Sequence, residues 1–438
     1  MDQDERSSVK PATAVMGRAA EPENWPIVVS AAQPIPFFYG FPVWGEAYVE
    51  KLCRVAIPSL LAPGNIPAMP NNGVSAFLIA TTPEDAKSIR SKPIFRLLER
   101  HINVEFIDLP DQDELPTGDD RLGKYRLLMT GHGFAADRAM GRGCAVFMGP
   151  DAIHTDGMTK RLYEHIAAGK EAVIGFGPRV AEETIVAELA DSGLLQEGEP
   201  LVVPPRLGVR LLMRHMHHDA RVHRWTSPFF PHAPYMCAWD MKDGLLVRAF
   251  GLHPYVVDYR DLPGWMPRMR DSSPVDGTFI RDCAITWDKI YQVTDSDEFF
   301  CLSLTPAHAR DFGHEPNTDP IGTMAQWLVR GDMTPVHHRS FVNAIKLHVE
   351  DLDERWKQLE RETLIIAYRV LETAKMMPKL ELDPKSAVDR VNHILTDPSG
   401  FPDGITEKLA LRAVKLALRV AWRKTKRALR QQGAPKDS

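Results

Sequence analysis

The chain contains 438 residues, of which 44% are hydrophobic and 25% are charged, and its formal net charge at pH 7 is −5. This composition is ordinary for a soluble globular protein of two or three domains, and the negative balance argues against nucleic acid as the main partner. No run of about eighteen apolar residues occurs, which argues against a membrane-spanning helix.

The first 27 residues carry Pro, Ser and charges without periodicity, which predicts a disordered or draped tail. Their acidic start, "MDQDERSSVK", is unlike a secretory signal and favours a cytoplasmic protein. Five dispersed cysteines without a CxxC pair indicate reduced core thiols rather than a zinc site.

Strands and helices alternate at short spacing through the first 200 residues. A strand over Ala76–Ala80 leads into a helix that a threonine caps and Pro83 begins. Further strands are predicted in "WPIVVSAAQPIPFFYG", "NVEFIDL" and "EAVIGFG", and a strand followed by a loop in "CAVFMGPDAIHTDG". Helices are predicted in "GEAYVEKLCRVAIPSLLAP", "KYRLLMTGHGFAADRAMGRG" and "MTKRLYEHIAAGK". This alternation predicts an α/β fold with an open, mainly parallel twisted sheet flanked by helices.

The pattern changes after residue 200. A helix in "RLGVRLLMRHMHH" precedes short strands in "LLVRAFGLHPYVVDY", where His253 is expected to end a strand and Pro254 to fix the following turn. From about residue 340 the apolar spacing predicts a wholly helical chain. We therefore expect a catalytic domain over 28–310, a helical extension over 311–378 and a C-terminal segment over 379–438.

The first candidate site follows the strand Ala145–Met148, in "FMGPDAIHTDG". Asp151 and Asp156 lie beyond the carboxyl end of this strand, where open α/β sheets bind ligands. A divalent cation needs only one or two carboxylates when substrate phosphates supply further oxygens. The alternative is a polar turn in which Asp156 or Thr155 caps the next helix.

The second candidate is the acidic stretch "TDSDEFF", which follows the strand beginning at Ile290. Asp295 and Asp297 can share one face of an extended loop and would repel unless a cation joins them. Glu298 and Asp297 are candidates for a general base. The alternative is a helix N-terminus, where acidic groups favour the helix dipole.

Histidines and arginines complete the candidate set. His253 is a candidate metal or phosphate contact, and the alternative is a hydrogen-bonded core histidine. The absence of HExxH argues against a zinc hydrolase. Candidates for binding the phosphate groups of a substrate are Arg179, Arg206, Arg210 and Arg214.

Other motifs are missing from the sequence. No GxGxxG opens a helix after the first strand, and neither GxxxxGK[ST] nor GxSxG occurs. These absences argue against a dinucleotide-binding fold, a P-loop hydrolase and a serine hydrolase. An α/β domain with acidic loops at strand ends fits metal-assisted binding of a diphosphate.

The layout resembles that of GT-A-type glycosyltransferases, and more narrowly a group of bacterial glycosyltransferases. The resemblance covers about residues 30–350 and lies in the order of "WGEAYVE", "TTPEDA", "PDAIHTDG", "LLMRHMHH", "LHP" and "DSDE". It implies a GT-A-like fold with a C-terminal helical extension, and an enzyme that moves a sugar from a nucleotide-diphosphate donor. The implied acceptor is a glycan, lipid-linked or protein acceptor of the cell envelope.

In GT-A enzymes an Asp-x-Asp loop holds Mn²⁺ or Mg²⁺ against the donor diphosphate. Asp151 and Asp156 match that loop in their position along the chain, whereas Asp295 and Asp297 match its Asp-x-Asp pattern. His253 matches the later histidine that some members use as a metal ligand. The resemblance thus implies metal ligands among Asp151, Asp156, His253 and Asp295. Two alternatives stay open: a non-catalytic protein that binds sugar nucleotides or glycans, and a metal-dependent nucleotide-sugar hydrolase or nucleotidyltransferase.

The C-terminal stretch 408–430 combines an apolar stripe with nine basic residues. Such an amphipathic helix either packs on the domain or lies on an anionic membrane surface. The second alternative predicts a peripheral association at the inner membrane.

Overall fold

The computed structural model describes residues 33–109, 121–262, 279–280, 283–313, 315–330 and 333–377, with the backbone alone for 121–126. In this part of the chain the strands are β1 (Phe37–Pro42), β2 (Ala76–Thr81), β3 (Asn103–Asp108), β4 (Cys144–Phe147), β5 (Ala152–His154), β6 (Ala172–Gly175), β7 (Arg179–Ala181), β8 (Met236–Met241), β9 (Gly244–Ala249), β10 (His253–Asp258), β11 (Ile290–Gln292), β12 (Cys301–Thr305) and β13 (Ile345–His348).

The helices come between these strands and continue after them. They are α1 (Glu46–Lys51), which a π-helical turn (Leu52–Ala56) joins to α2 (Ile57–Leu60), then α3 (Pro83–Ser91), α4 (Pro93–Leu98), α5 (Arg121–Ala139), α6 (Met158–Ala167), α7 (Glu182–Asp191), α8 (Pro205–His215), α9 (His218–Arg221), α10 (Pro320–Arg330), α11 (Pro335–Val342) and α12 (Glu354–Met376). Short 3₁₀ turns cover Ile66–Ala68 and Trp287–Lys289.

The central sheet has seven strands in the order β11-β6-β10-β4-β1-β2-β3. Strands β4, β1, β2 and β3 pair in parallel, as do β11 and β6. Strand β10 runs antiparallel to both of its neighbours, β4 and β6. The expected mainly parallel sheet flanked by helices is therefore confirmed, with β10 as the reversed strand.

The inner strands are buried on both faces, which explains their nearly continuous apolar sequences. Every residue of β1 and β2 is buried. Phe38 and Leu78 face one core cluster, whereas Phe37 and Phe77 face the other. Because successive strand residues point to opposite faces, each strand contributes to two layers of helices.

Local signals fix the helix that follows β2. Thr82 accepts a hydrogen bond from the backbone N–H of Asp85 at 3.1 Å, and Pro83 occupies the first turn. The predicted threonine cap is thus confirmed. All five cysteines are buried and unbridged, as expected for core thiols.

Two smaller sheets continue from the central one. Strands β5, β12 and β7 form a sheet in which β12 is antiparallel to β5 and parallel to β7. Because β5 follows β4 and β7 follows β6 after short loops, this sheet continues the carboxyl ends of two central strands. The third sheet, β13-β9-β8, is antiparallel and packs with helices α10, α11 and α12.

A buried arginine joins the third sheet to the helical extension. Arg248 of β9 is 0% exposed, yet its guanidinium donates to Thr363 Oγ1 at 3.0 Å and to the carbonyl of Glu360 at 2.9 Å. It also donates to the carbonyl of Val342, where α11 ends. Helix ends leave carbonyls without intrahelical partners, and Arg248 satisfies one of them in the core.

Three expectations differ from the structure or lie outside it. The chain after residue 340 is not wholly helical, because Ile345–His348 pairs with β9. His253 begins strand β10 rather than ending one, and Pro254 lies within that strand. The expected N-terminal tail (1–27) and the basic stretch 408–430 lie outside the described residues. Within the described part, no helix combines the length and apolarity needed to cross a membrane.

Candidate functional site

The acidic stretch after β11 lies at the carboxyl edge of the central sheet. Residues 295–298 form a bridge and a turn rather than the start of a helix, so the helix-cap alternative does not hold. Backbone bonds tie this turn to β13: Lys346 N–H donates to Thr294 O at 2.8 Å, and Ser296 N–H donates to Lys346 O at 2.9 Å. This pairing places the end of β13 beside the acidic side chains.

Three metal-ligating side chains meet where the turn and β13 touch. One ligand atom from each of Asp295, Asp297 and His348 lies within 4.8 Å of the others. His348 is almost wholly buried, whereas Asp295 and Asp297 are partly exposed. No other group of this kind occurs among the described residues. We call these three residues the acidic–histidine cluster.

The tautomer of His348 can be argued from its two contacts. Its Nδ1 lies 2.6 Å from the carbonyl oxygen of Glu350, which can only accept, so Nδ1 carries the proton. In a neutral ring Nε2 then carries a lone pair and no proton, and this atom lies 2.8 Å from Oδ1 of Asp295. Two acceptors at this distance require a proton or a cation between them.

The pKa shifts of this pair agree with the geometry. Burial works to lower the pKa of His348, but the hydrogen bond and charge of Asp295 outweigh it and raise the pKa. Burial works to raise the pKa of Asp295, yet His348 holds it below its usual value. Without a cation the pair is thus an imidazolium and a carboxylate. A metal ligand histidine commonly shows this same second bond from its other nitrogen.

Arg206, in the first turn of α8, is the positive group that faces Asp297. Its Nε lies 2.9 Å from Oδ1, and its Nη2 lies 2.6 Å from Oδ2. The same Nη2 lies 2.6 Å from Oδ1 of Asp351, which is 90% exposed. Arg206 therefore bridges the acidic–histidine cluster and the loop that follows β13.

Glu298 has a different environment from its two acidic neighbours. Its carboxylate accepts from the Tyr291 hydroxyl at 2.7 Å, contacts His165 Nε2, and lies 3.3 Å from Arg161 Nη2. The His165 ring stacks on Tyr291 with centroids 3.6 Å apart. Burial works to raise the pKa of Glu298, but His165, Tyr291 and Arg161 together hold it below its usual value. A carboxylate with these donors is a weak base.

The first predicted site lies elsewhere at the sheet edge. Asp151 comes between β4 and β5, and burial raises the pKa of its carboxyl group. Asp156 Oδ1 accepts from the backbone N–H of Gly64 at 2.7 Å. His253 Nε2 donates to the carbonyl of Phe147 at 2.8 Å. None of the three belongs to the acidic–histidine cluster, so their role as ligands stays a prediction.

The predicted diphosphate-binding arginines are spread over the fold. Arg179 Nη1 lies 2.9 Å from carboxylate oxygens of both Asp219 and Asp311. Arg214 pairs with Glu188. Arg210 is exposed on α8. Their binding role stays a prediction, while Arg206 is the arginine that contacts the cluster.

His348 is the residue that sequence reasoning missed. It lies 53 residues after Asp295, in a stretch whose apolar spacing predicts a helix. The alternation in "AIKLHVE" is the signal of a short strand that could have placed it.

Comparisons with known proteins give structural likenesses alone. No protein-family model and no curated protein matches the chain. A mannosyltransferase from Pyrobaculum calidifontis, in complex with GDP-mannose and Mn²⁺, is similar over 91% of this chain and 90% of its own, at 12% identity and a TM-score of 0.31. A candidate glucose-1-phosphate thymidylyltransferase from Bacillus anthracis, in complex with sucrose, is similar over 34% of this chain and 57% of its own, at 11% identity and a TM-score of 0.21. At TM-scores this low, the residues of the site carry the inference about function.

Proposed function

We propose that the protein is a glycosyltransferase that uses a nucleotide-diphosphate sugar and a divalent cation held by Asp295, Asp297 and His348. The observation that carries this proposal is that His348 Nε2 lies 2.8 Å from Oδ1 of Asp295 while the carbonyl of Glu350 holds the proton on Nδ1. A cation in the cluster would bond both acceptors and replace the proton.

The ligand types fit the proposed metal. Two carboxylates and one imidazole suit Mn²⁺, and Mg²⁺ is the alternative that prefers oxygen ligands. Three protein ligands leave coordination positions for two phosphate oxygens. Bound there, the ion would neutralise charge on the departing diphosphate.

The position in the fold supports the same function. Strands β4, β6 and β11 have their carboxyl ends at one edge, where open α/β sheets bind ligands. Asp151 follows β4 at this edge, and Asp295 and Asp297 follow β11. We propose that the donor lies across this edge and that Asp151 faces it.

The chemistry requires one proton transfer. The acceptor hydroxyl oxygen attacks the anomeric carbon, the sugar–phosphate bond breaks with its electron pair on the diphosphate, and the hydroxyl proton passes to a carboxylate. Glu298 already accepts from several donors, so we assign it to holding the turn in place. The other predicted carboxylates at this edge that could accept the proton are Asp297 and Asp151.

The proposal for the acceptor rests on the amino-acid sequence of a stretch that lies outside the described residues. The basic stretch 408–430 would suit an anionic membrane surface and hence a lipid-linked or envelope glycan. Binding of full-length protein to anionic vesicles at low salt, and its loss at high salt, tests this part of the proposal.

A transfer assay tests the proposed reaction. Purified protein is incubated with nucleotide-diphosphate sugars and Mn²⁺, with and without glycan acceptors, and both the released nucleotide and the glycosylated product are measured. We expect nucleotide release to depend on an acceptor and to fall at least about tenfold in Asp297→Asn. Release that is independent of any acceptor would indicate a hydrolase. Donor binding without release would indicate a binding protein.

The matched control is Glu105→Gln. Glu105 of β3 pairs with Arg138 through two contacts of 3.0 and 2.7 Å, much as Asp297 pairs with Arg206. Strands β3 and β11 are the opposite edges of the central sheet. This variant therefore removes a similar ion pair far from the cluster and should leave transfer unchanged.

A further inference from the structure

Arg206 occupies the same carboxylate that the proposed cation needs. Its guanidinium forms a fork on Asp297, with Nε to Oδ1 at 2.9 Å, Nε to Oδ2 at 3.2 Å and Nη2 to Oδ2 at 2.6 Å. Both oxygens of Asp297 are therefore engaged from one side. A divalent cation bound to Asp297 would lie next to a guanidinium of like charge and would repel it.

The fork can open because a second carboxylate lies within reach. Nη2 also contacts Oδ1 of Asp351 at 2.6 Å. Asp351 follows His348 by three residues and points into solvent. Arg206 and Asp297 are themselves 43% and 37% exposed, and such exposed pairs add little to stability. The guanidinium can therefore leave Asp297 while keeping one anionic partner.

The helix that carries Arg206 makes an anionic partner necessary. Arg206 lies in the first turn of α8, where the helix dipole disfavours a positive side chain. A guanidinium also matches phosphate as well as carboxylate, through the same two-pronged geometry. A phosphate held by a cation on Asp297 would be a suitable replacement partner.

We infer that Arg206 and the divalent cation exclude one another at Asp297, and that the displaced guanidinium binds the diphosphate of the donor. This inference rests on the proposed function and adds a specific residue to it. Arg206 closes the cation site in the metal-free protein and contacts the substrate in the metal-bound one. Arg179 cannot exchange in this way, because it is held between Asp219 and Asp311.

Two affinities move in opposite directions if the inference holds. In Arg206→Gln, removal of the competing charge should tighten Mn²⁺ binding without nucleotide by about fivefold. The same variant should weaken binding of UDP and GDP in saturating Mn²⁺ by at least about tenfold. Arg206→Lys keeps the positive charge but cannot form two parallel hydrogen bonds to one anion. Its nucleotide affinity should therefore be weakened as in Arg206→Gln, whereas its Mn²⁺ affinity should change less than in Arg206→Gln.

The measurement is Mn²⁺ titration by electron paramagnetic resonance, followed by nucleotide titration calorimetry on full-length protein. Arg138→Gln is the control, because Arg138 forms a forked pair with Glu105 at 40% and 37% exposure, far from the cluster. It should leave both affinities unchanged. Thermal unfolding of each variant checks that the fold is intact.

The outcomes separate the inference from the proposed function. Tighter Mn²⁺ binding with weaker nucleotide binding in Arg206→Gln supports the inference. Unchanged or weaker Mn²⁺ binding in that variant, with normal binding in the wild type, overturns the inference alone. Failure of the wild type to bind Mn²⁺ overturns both.

Discussion

His348 points Nε2 at Oδ1 of Asp295 from 2.8 Å while the carbonyl of Glu350 fixes the proton on its other nitrogen. Asp295 lies in the turn after β11 and His348 ends β13, and the two residues meet because this turn pairs with β13. The cluster therefore differs from a group of acidic surface residues, because it includes a buried histidine in a fixed orientation. The proton between Nε2 and Oδ1 joins two ligand atoms that a cation could bond in its place.

Glu298 is expected to stabilise the fold rather than to take a proton. Glu298→Gln keeps the size of the side chain but loses the charge that faces His165 and Arg161. We expect a loss of about 1–3 kcal/mol in the free energy of unfolding, measured by urea denaturation. Transfer by the folded variant should fall less than threefold. A large loss of transfer at unchanged stability would instead make Glu298 the base.

Arg248 is expected to hold the helical extension on the third sheet. Arg248→Met removes the donors for Thr363 Oγ1 and for buried carbonyls of α11 and α12. Burial lowers the pKa of Arg248 to about 10, so losing the buried charge offsets part of the cost. We expect a net destabilisation of about 2 kcal/mol or more, and an unchanged or raised urea midpoint would contradict it.

Buried histidines predict a loss of stability at acid pH. His154 is 1% exposed, neither ring nitrogen has a partner among the described residues, and burial lowers its pKa to about 3. Burial lowers the pKa of His132 to about 4. Both rings are neutral in the folded protein and titrate near pH 6.5 in the unfolded chain. Their contribution to the free energy of unfolding is therefore fully present above pH 6.5 and is lost as the pH falls.

Each of these histidines should lower the free energy of unfolding by about 1.4 kcal/mol per pH unit between pH 6.5 and the pKa that it has in the fold. His154→Phe removes one titrating group and should lessen the difference in urea midpoint between pH 7.5 and pH 5. An equal difference in the variant and the wild type would show that His154 does not contribute.

Asp151 is expected to act on the substrate rather than on stability. Asp151→Asn preserves the shape of the side chain and removes the carboxylate. Because burial raises the pKa of this carboxyl, the neutral amide should not destabilise the fold. We expect transfer to fall at least about tenfold with a melting temperature within a few degrees of the wild type. Retained transfer with a lower melting temperature would make Asp151 structural.

Local patterns predicted the central sheet well because each signal lies within a few residues. The buried run of β2 and the Thr82 cap are adjacent in the sequence. The reversed direction of β10 depends instead on pairing with β4 and β6, which no local pattern encodes. His253 was misplaced for that reason.

The candidate site could be predicted only in part. The Asp-x-Asp sequence at Asp295 and Asp297 predicts a cation site at the loop where the cluster lies. Its partners come from 91 residues before, at Arg206, and 53 residues after, at His348. A four-residue strand such as β13 forms only because β9 is there to pair with it. Its single histidine therefore gave no local sign of a ligand.

The most direct test of the account is a Mn²⁺ titration of the wild type, His348→Gln and the control Glu105→Gln, followed by electron paramagnetic resonance. We predict one tight Mn²⁺ per chain in the wild type and in the control, and an affinity at least about tenfold lower in His348→Gln. Equal affinity in His348→Gln and the wild type, or no binding in either, would contradict the proposal that Asp295, Asp297 and His348 hold a cation.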